Sequence, residues 1–124
     1  VTLVGCRTLA TLAEAHLRGE RVADADVAAE MAGAFVENDG RATDTIVLAC
    51  THYPLLIEQM KRLAPWPVAW IDPAPAIARR VVQLAGPMPE GAEEAGPGRA
   101  IFTSGKTPQA ALAAGLRERY LSVA

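Results

Sequence analysis

"IVLACTHYPLL", Ile46 to Leu56, carries two messages in one short stretch. Its first part, Ile46-Val-Leu-Ala-Cys50, is a continuous apolar run. Where strands alternate with helices, such a run suggests a strand buried on both faces. Its second part sets a thiol, a hydroxyl, an imidazole and a phenol side by side where that strand stops. Pro54 follows, well placed in a first helical turn because its missing N–H has no intrahelical partner there. Leu55, Leu56, Met60 and Leu63 then recur at helical spacing. The stretch predicts strand, turn and helix, the helix running from about Pro54 to Leu63 and broken by Pro65-Trp66-Pro67.

The same alternation extends in both directions. Val1 to Cys6 reads as a short strand. Leu9, Leu12, Ala13 and Leu17 mark a helix that Gly19 stops. Asp24 or Asp26 is placed to cap a second helix with Val27, Ala28, Met31 and Phe35 on its inner face. Asn38-Asp39-Gly40 makes a turn. Beyond the central stretch, Val68 to Asp72 is a third strand, and Ile77, Val81 and Leu84 mark another helix. Gly86 to Arg99 clusters Pro, Gly and Glu, as a surface loop or linker does. Ala100 to Ser104 reads as a fourth strand. Thr107-Pro108 opens a last helix, through about Leu121. The pattern implies an α/β fold, a parallel sheet with helices on both faces. No internal repeat is visible.

The totals narrow the class. With 124 residues, 51% hydrophobic and 21% charged, the chain suits one folded body that buries roughly two-thirds of its unfolded surface. A net charge of −2 and no basic run argue against nucleic acid. No apolar stretch approaches the ~20 residues of a membrane span. Two cysteines make no disulfide framework, and nothing at the start resembles a signal peptide, so a reduced, cytoplasmic setting is expected. The chain opens at Val1 inside an apolar run without an initiator methionine. Its start is therefore trimmed, or it is part of a longer protein.

In open parallel sheets, ligands gather beyond the carboxyl ends of the strands. Cys50, Thr51 and His52 sit at that end. A helix starting at once would aim free N–H groups and the positive end of its dipole at the same space, favouring an anionic substrate and a thiolate. Cys50 is thus a candidate base or nucleophile. The bland alternative is a cysteine acting as a small buried hydrophobe, which is the reading given to Cys6. A metal would need Cys50 and His52 completed by Cys6 and His16, a spacing that fits no familiar zinc pattern. Ser104-Gly-Lys-Thr107 mimics the end of a phosphate-binding loop, but Ala100 stands where its first glycine belongs. Lys61 and Lys106 are the only lysines, and Lys61 reads as surface, so no pyridoxal cofactor is expected. Arg79-Arg80 and His16 also read as surface groups, and Trp66 and Trp70 as packing.

Leu48-Ala-Cys-Thr-His-Tyr-Pro-Leu-Leu56 resembles the second cysteine motif of the glutamate racemases, within the aspartate/glutamate racemase family. "VAWIDPAPAIARRVV", Val68 to Val82, is similar to a family strand ending in Ile-Asp and the helix after it. Ile101 to Gly105 is similar to a strand near the family's C-terminus. "LATLAEAHLRGE", Leu9 to Glu20, resembles the segment that brings a glutamate to the site, here Glu14.

The resemblance implies cofactor-independent interconversion of L- and D-glutamate for peptidoglycan, by two cysteines on opposite faces of the substrate. Cys50 would be the cysteine that deprotonates L-glutamate, His52 its assistant, Thr51 a substrate-binding residue and Glu14 a supporting partner at the substrate site. The family's Cys-Asn-Thr and Asp-Ser-Gly motifs are absent from the sequence, and Ala49 replaces a usual glycine. The chain therefore resembles the C-terminal half of such an enzyme. Residues 1–72 would form the second lobe, and residues 73–124 would return to complete the first. Its expected partners are glutamate and the missing N-terminal half, with a homodimer also admitted, and the chain alone is expected to be inactive. The competing reading is a non-catalytic carboxylate-binding or interaction domain derived from the same fold.

Overall fold

Three pairs of apolar side chains, each four residues apart, build the core: Leu9 with Ala13, Val27 with Met31, and Leu56 with Met60. That spacing puts each pair on one side of a helix. All six close around Leu48, which is 1% exposed at the end of the central strand. The computed structural model describes residues 1–87 and 96–123.

Helix α1 spans Leu9–Leu17 and stops where expected, with Gly19 at φ +76° and its N–H bonded to the His16 carbonyl. Helix α2 spans Asp24–Met31 and continues as a short 3-10 turn over Ala32–Ala34. Neither Asp24 nor Asp26 caps it; the cap position is Ala23 and both acids lie in the first turn. Asp24 instead reaches across to α3, Ile57–Leu63. Its carboxylate accepts from Arg62 Nη1 and Nη2 at 2.7 and 2.8 Å and from Gln59 Nε2 at 2.8 Å. The Arg62 hydrogen bonds, then that of Gln59, hold Asp24 down to about 2. At the other end of α2, Glu30 accepts from the Thr8 N–H and hydroxyl, at 3.1 and 2.6 Å. It thereby ties down the start of α1 from a neighbouring helix.

Asn38-Asp39-Gly40 does form a turn, between β1, Glu37–Asn38, and β2, Arg41–Ala42. Asp39 and Gly40 both have positive φ, the geometry of the tight hairpin turn whose twist matches its strands. Strand β3, Thr45–Val47, pairs in parallel with β4, Ala69–Ile71, in the register Thr45↔Ala69, Ile46↔Trp70, Val47↔Ile71. Between them run a 3-10 turn, Tyr53–Leu56, and α3. Trp66 after α3 donates to the Thr43 carbonyl and meets Phe35 edge-on at 5.3 Å.

Several expectations change. The run from Ile46 to Cys50 is a strand only over its first half and is buried on one face. Ile46 and Leu48 turn inward, while Val47 stands 56% exposed. Residues 1–6 form no strand, because a strand needs a partner and their backbone groups pair with no other backbone among the described residues. Helix α4, Ala74–Ala85, is present, with Ile77, Val81 and Leu84 in solvent. The expected loop Gly86–Arg99 lies partly outside the described residues, and its end is already strand. Strand β5 is Gly98–Ala100, not Ala100–Ser104, because the chain turns at Gly105, whose φ is +67° and whose N–H bonds to the Phe102 carbonyl. Helix α5 spans Ala110–Arg117 and ends before Leu121. Tyr120, at φ +56°, reverses the chain so that β6, Leu121–Val123, pairs in parallel with β5. The α/β class holds, carried among the described residues by two short parallel pairs and one hairpin rather than a single continuous sheet.

Candidate active site

Cys50 lies two residues beyond Leu48, where β3 has ended and the chain turns. Burial of Leu48 fixes the turn from below, and the Tyr53 N–H bonds back to the Cys50 carbonyl at 3.3 Å. His52 then falls immediately before the 3-10 turn. Its Nδ1 lies 3.7 Å from Cys50 Sγ and 3.5 Å from Thr51 Oγ1. On the other side of the ring, Nε2 lies 3.3 Å from Glu14 Oε1. Glu14 is supplied by α1, one turn from Arg18, whose Nη1 stands 3.8 Å from Glu14 Oε2.

Glu14, distant in sequence, is thus brought against the consecutive residues Cys50, Thr51 and His52. The chemistry follows from the imidazole. A carboxylate beside Nε2 favours a proton there, which leaves Nδ1 as an acceptor toward the thiol. Cys50 and Thr51 both lie within reach of that nitrogen. The arrangement can move a proton between sulfur and imidazole while Glu14 balances the imidazolium charge.

The field expected from a helix N-terminus is weaker than the sequence suggested. Within the 3-10 turn, the N–H groups of Tyr53 and Leu55 are already taken by the carbonyls of Cys50 and His52. The α-helix proper starts only at Ile57. The side chains of His52 and Glu14 are 40% and 54% exposed, so the site lies open to water.

Cys6 was assigned to packing, and it does pack. It is half-buried against the core and its thiol donates to the Glu30 carbonyl at 3.4 Å. Burial pushes its pKa up, partly offset by the Tyr53 phenol. Burial, then the neighbouring Cys6, raises Tyr53 in turn. Nothing in the residue pattern marks Tyr53 and Cys6 as neighbours. The Glu14–Arg18 pairing, in contrast, could be found from its helical spacing of four.

Other sequence candidates fall away from this site. Lys61 pairs with Glu58 at 2.8 Å on the surface, and Arg79 and Arg80 are exposed. Lys106 precedes no helix start, since α5 begins at Ala110, so Ser104–Thr107 is a surface turn. Among the described residues no group of three His, Cys, Asp or Glu side chains could hold a metal ion. Nor does any described helix have the length and apolarity to cross a membrane. A cleft of about 940 Å3 runs along β3 and reaches Ala49 and Tyr53, on either side of the catalytic candidate.

A strand-end Cys-His pair backed by a carboxylate, on an α/β frame, is an arrangement suited to thiol acid–base chemistry. No family model matches the chain. Over 107 residues it is 58% identical to a glutamate racemase of Sinorhizobium fredii, covering 86% of this chain and 40% of that protein. Over 87 residues it is 60% identical to a glutamate racemase of Brucella anthropi, covering 70% and 31% respectively. Its fold matches a crystal structure of Escherichia coli glutamate racemase in complex with L-glutamate and the activator UDP-MurNAc-Ala. There the TM-score is 0.72 and the identity 29%, covering 97% of this chain and 46% of that one. The chain thus spans about 40% of the length of its curated relatives. Over that span the chain is similar to the glutamate racemases in sequence and in fold.

Proposed function

We propose that this chain is the part of a glutamate racemase that supplies one of two acid–base thiols. Cys50, as thiolate, takes the α-proton from L-glutamate, and His52 accepts and returns the thiol proton. Glu14 steadies the charged imidazole, and the Thr51 hydroxyl holds the substrate. The single observation carrying this reading is the chain of contacts from Glu14 through His52 to Cys50, at 3.3 and 3.7 Å.

The physical demands of the reaction explain why a partial chain would not suffice. An α-proton of an amino acid is weakly acidic, and a thiolate removes it only where water is excluded and fixed donors meet the developing charge. Here the imidazole and carboxylate are open to solvent. A second acid–base group on the opposite face is also required, and Cys6 is engaged with Glu30 and Tyr53. Residues 1–72 would then be the second lobe, with residues 73–124 returning to the first. The missing N-terminal half would supply the other thiol and the cover. Peptidoglycan supply of D-glutamate, a cytoplasmic setting, action without a cofactor and a homodimer fit this reading.

In the complete enzyme, Cys50→Ala is expected to abolish racemisation and to stop solvent deuterium entering when L-glutamate is the starting isomer. Retained exchange from that isomer would sink the assigned role. The isolated chain is expected to show no sustained racemisation; turnover that survives Cys6→Ala would overturn that expectation.

A further inference from the structure

Glu14 stands between two cations that compete for it. Its Oε1 lies 3.3 Å from His52 Nε2, and its Oε2 lies 3.8 Å from Arg18 Nη1. Arg18 follows Glu14 by four residues, the helical spacing at which a carboxylate and a guanidinium meet directly. A guanidinium is always charged and forks onto both oxygens of a carboxylate, whereas an imidazole brings one N–H. Left free, Arg18 would close on Glu14 and draw it from the imidazole. It stands off instead, with its Nε held by Glu20 Oε1 at 2.6 Å. The end of α1 puts Glu20 there. The Gly19 N–H bonds to the His16 carbonyl at 2.9 Å and the Glu20 N–H to the Ala15 carbonyl at 3.0 Å, the paired bonds of a Schellman turn. Gly19 supplies the positive φ, +76°, that this turn requires. The chain leaves the helix with Glu20 beside Arg18. The Arg18 hydrogen bond holds the Glu20 carboxyl below its usual range, so both partners are charged at neutral pH.

We propose that Glu20 is a positioning residue for the Cys50 site: by holding Arg18 back, it leaves Glu14 to His52. The contacts run from Glu20 through Arg18, Glu14 and His52 to Cys50, at 2.6, 3.8, 3.3 and 3.7 Å. Glu20 acts through Arg18 and Glu14, not on the reacting atoms; it decides which partner Glu14 serves. With Glu14 against Nε2, the ring proton is favoured on that nitrogen and Nδ1 is left to accept from the Cys50 thiol. With Glu14 drawn onto Arg18, the ring loses that preference and Cys50 loses part of its acceptor. The inference rests on the proposed role of His52 as acceptor of the Cys50 proton, and not on which substrate Cys50 meets.

The test is alkylation of the 124-residue chain by iodoacetamide at neutral pH. Both thiols are free and half-buried, and mass spectrometry reads each on its own tryptic peptide. Glu20→Ala should slow Cys50 by about threefold, the scale of an exposed ion pair, and leave Cys6 unchanged. Glu20→Ala/Arg18→Ala removes the competitor as well and should return Cys50 to the parent rate. A residue that merely props the helix end predicts the reverse, because a second deletion there loosens α1 further. Glu20→Gln, which keeps an oxygen for Arg18 without the charge, should fall between the parent and Glu20→Ala. Ring-nitrogen NMR shifts of His52 give a second reading. The form protonated at Nε2 should dominate in the parent, recede in Glu20→Ala and return in the double variant. An unchanged Cys50 rate in Glu20→Ala overturns the proposal. So do equal slowing of Cys6 and a double variant no faster than Glu20→Ala. Neither reading needs glutamate or turnover. A Glu20 effect on Cys50, found where the complete enzyme exchanges no α-proton, keeps this role and removes the racemase reading.

Discussion

Residues 9–63 and residues 74–123 have similar apolar patterning and opposite fates. Among the described residues, all seven buried apolar side chains lie in the first region, between Leu9 and Met60. In the second, Ile77, Val81, Val82 and Leu84 project from α4 into solvent at 56–71% exposure. The polar contacts divide in the same way. Thr8–Glu30, Gln59–Asp24 and Arg62–Asp24 join residues 22 to 38 apart. In the second region, among the described residues, Arg80–Gln83 and Arg119–Gly115 stay within one turn, and Ser122–Gly98, 24 residues apart, ties β6 to β5 rather than to the core. A helix can thus form from its pattern alone while its apolar face waits for a surface. The first region holds the buried core, and the second carries a helix whose apolar face is exposed.

The largest effect should come from the centre of the first region. Leu48→Ala removes the side chain on which three helices converge and should cost about 2–5 kcal/mol, measured by urea unfolding. A cost below about 1 kcal/mol would mean that the region is not closely packed and that the contrast drawn above is false.

The seam between the regions comes next. Gly115 on α5 faces α1, and a Cβ there would stand 2.9 Å from Leu17 Cδ1 and 3.3 Å from the Leu17 carbonyl oxygen. The side-chain end can swing away; the backbone oxygen cannot. Overpacking of this kind costs about 1–3 kcal/mol, and better helix propensity returns about 1. Gly115→Ala should therefore be neutral to about 2 kcal/mol destabilising, with α5 amides losing exchange protection before those of α1. Stabilisation by the full propensity gain would show that α5 is not seated on α1.

A smaller effect separates the regions by pH. Asp24 sits at about 2 in the folded chain because of Arg62 and Gln59, below the ordinary carboxyl value near ~3.9. The folded value is the lower one. The clamp therefore stabilises above about pH 4 and is lost as pH falls toward 2. The stability difference between the parent chain and Asp24→Asn should shrink across that window. A difference unchanged from pH 5 to pH 2 would remove the clamp from the account.

Much of this could be read from the residues, and the misses share a cause. Helices α1, α2 and α4 follow from spacing that is local, as does the Asp39-Gly40 turn. The site was reachable because Cys50, Thr51 and His52 are adjacent and Glu14 lies in a recognisable segment. Residues 1–6 were misread because β-structure depends on a partner elsewhere, which a pattern of alternation does not reveal. A continuous apolar run implies two buried faces for Ile46–Cys50, but the core packs on the Leu48 side alone and leaves Val47 in solvent. The last helix is expected to run through about Leu121, four residues too far, and the strand Leu121–Val123 goes unread because its pairing with Gly98–Ala100 lies more than twenty residues away.

The smallest effect is the most informative about what the second region is for. Val81 is 58% exposed on α4, and no residue of that helix is buried. In the isolated chain, Val81→Ala removes no packed contact and slightly favours the helix, so stability should change by less than about 0.5 kcal/mol. If the face of Ile77, Val81 and Leu84 is covered in the complete protein, the same substitution there loses buried surface and should cost about 1 kcal/mol or more. Thermal unfolding of the chain alone and of its complex with a co-expressed N-terminal half, each with and without Val81→Ala, measures the difference. An equal, negligible effect in both would leave α4 as a solvent-facing helix and remove the reason to regard residues 74–123 as built for a missing surface.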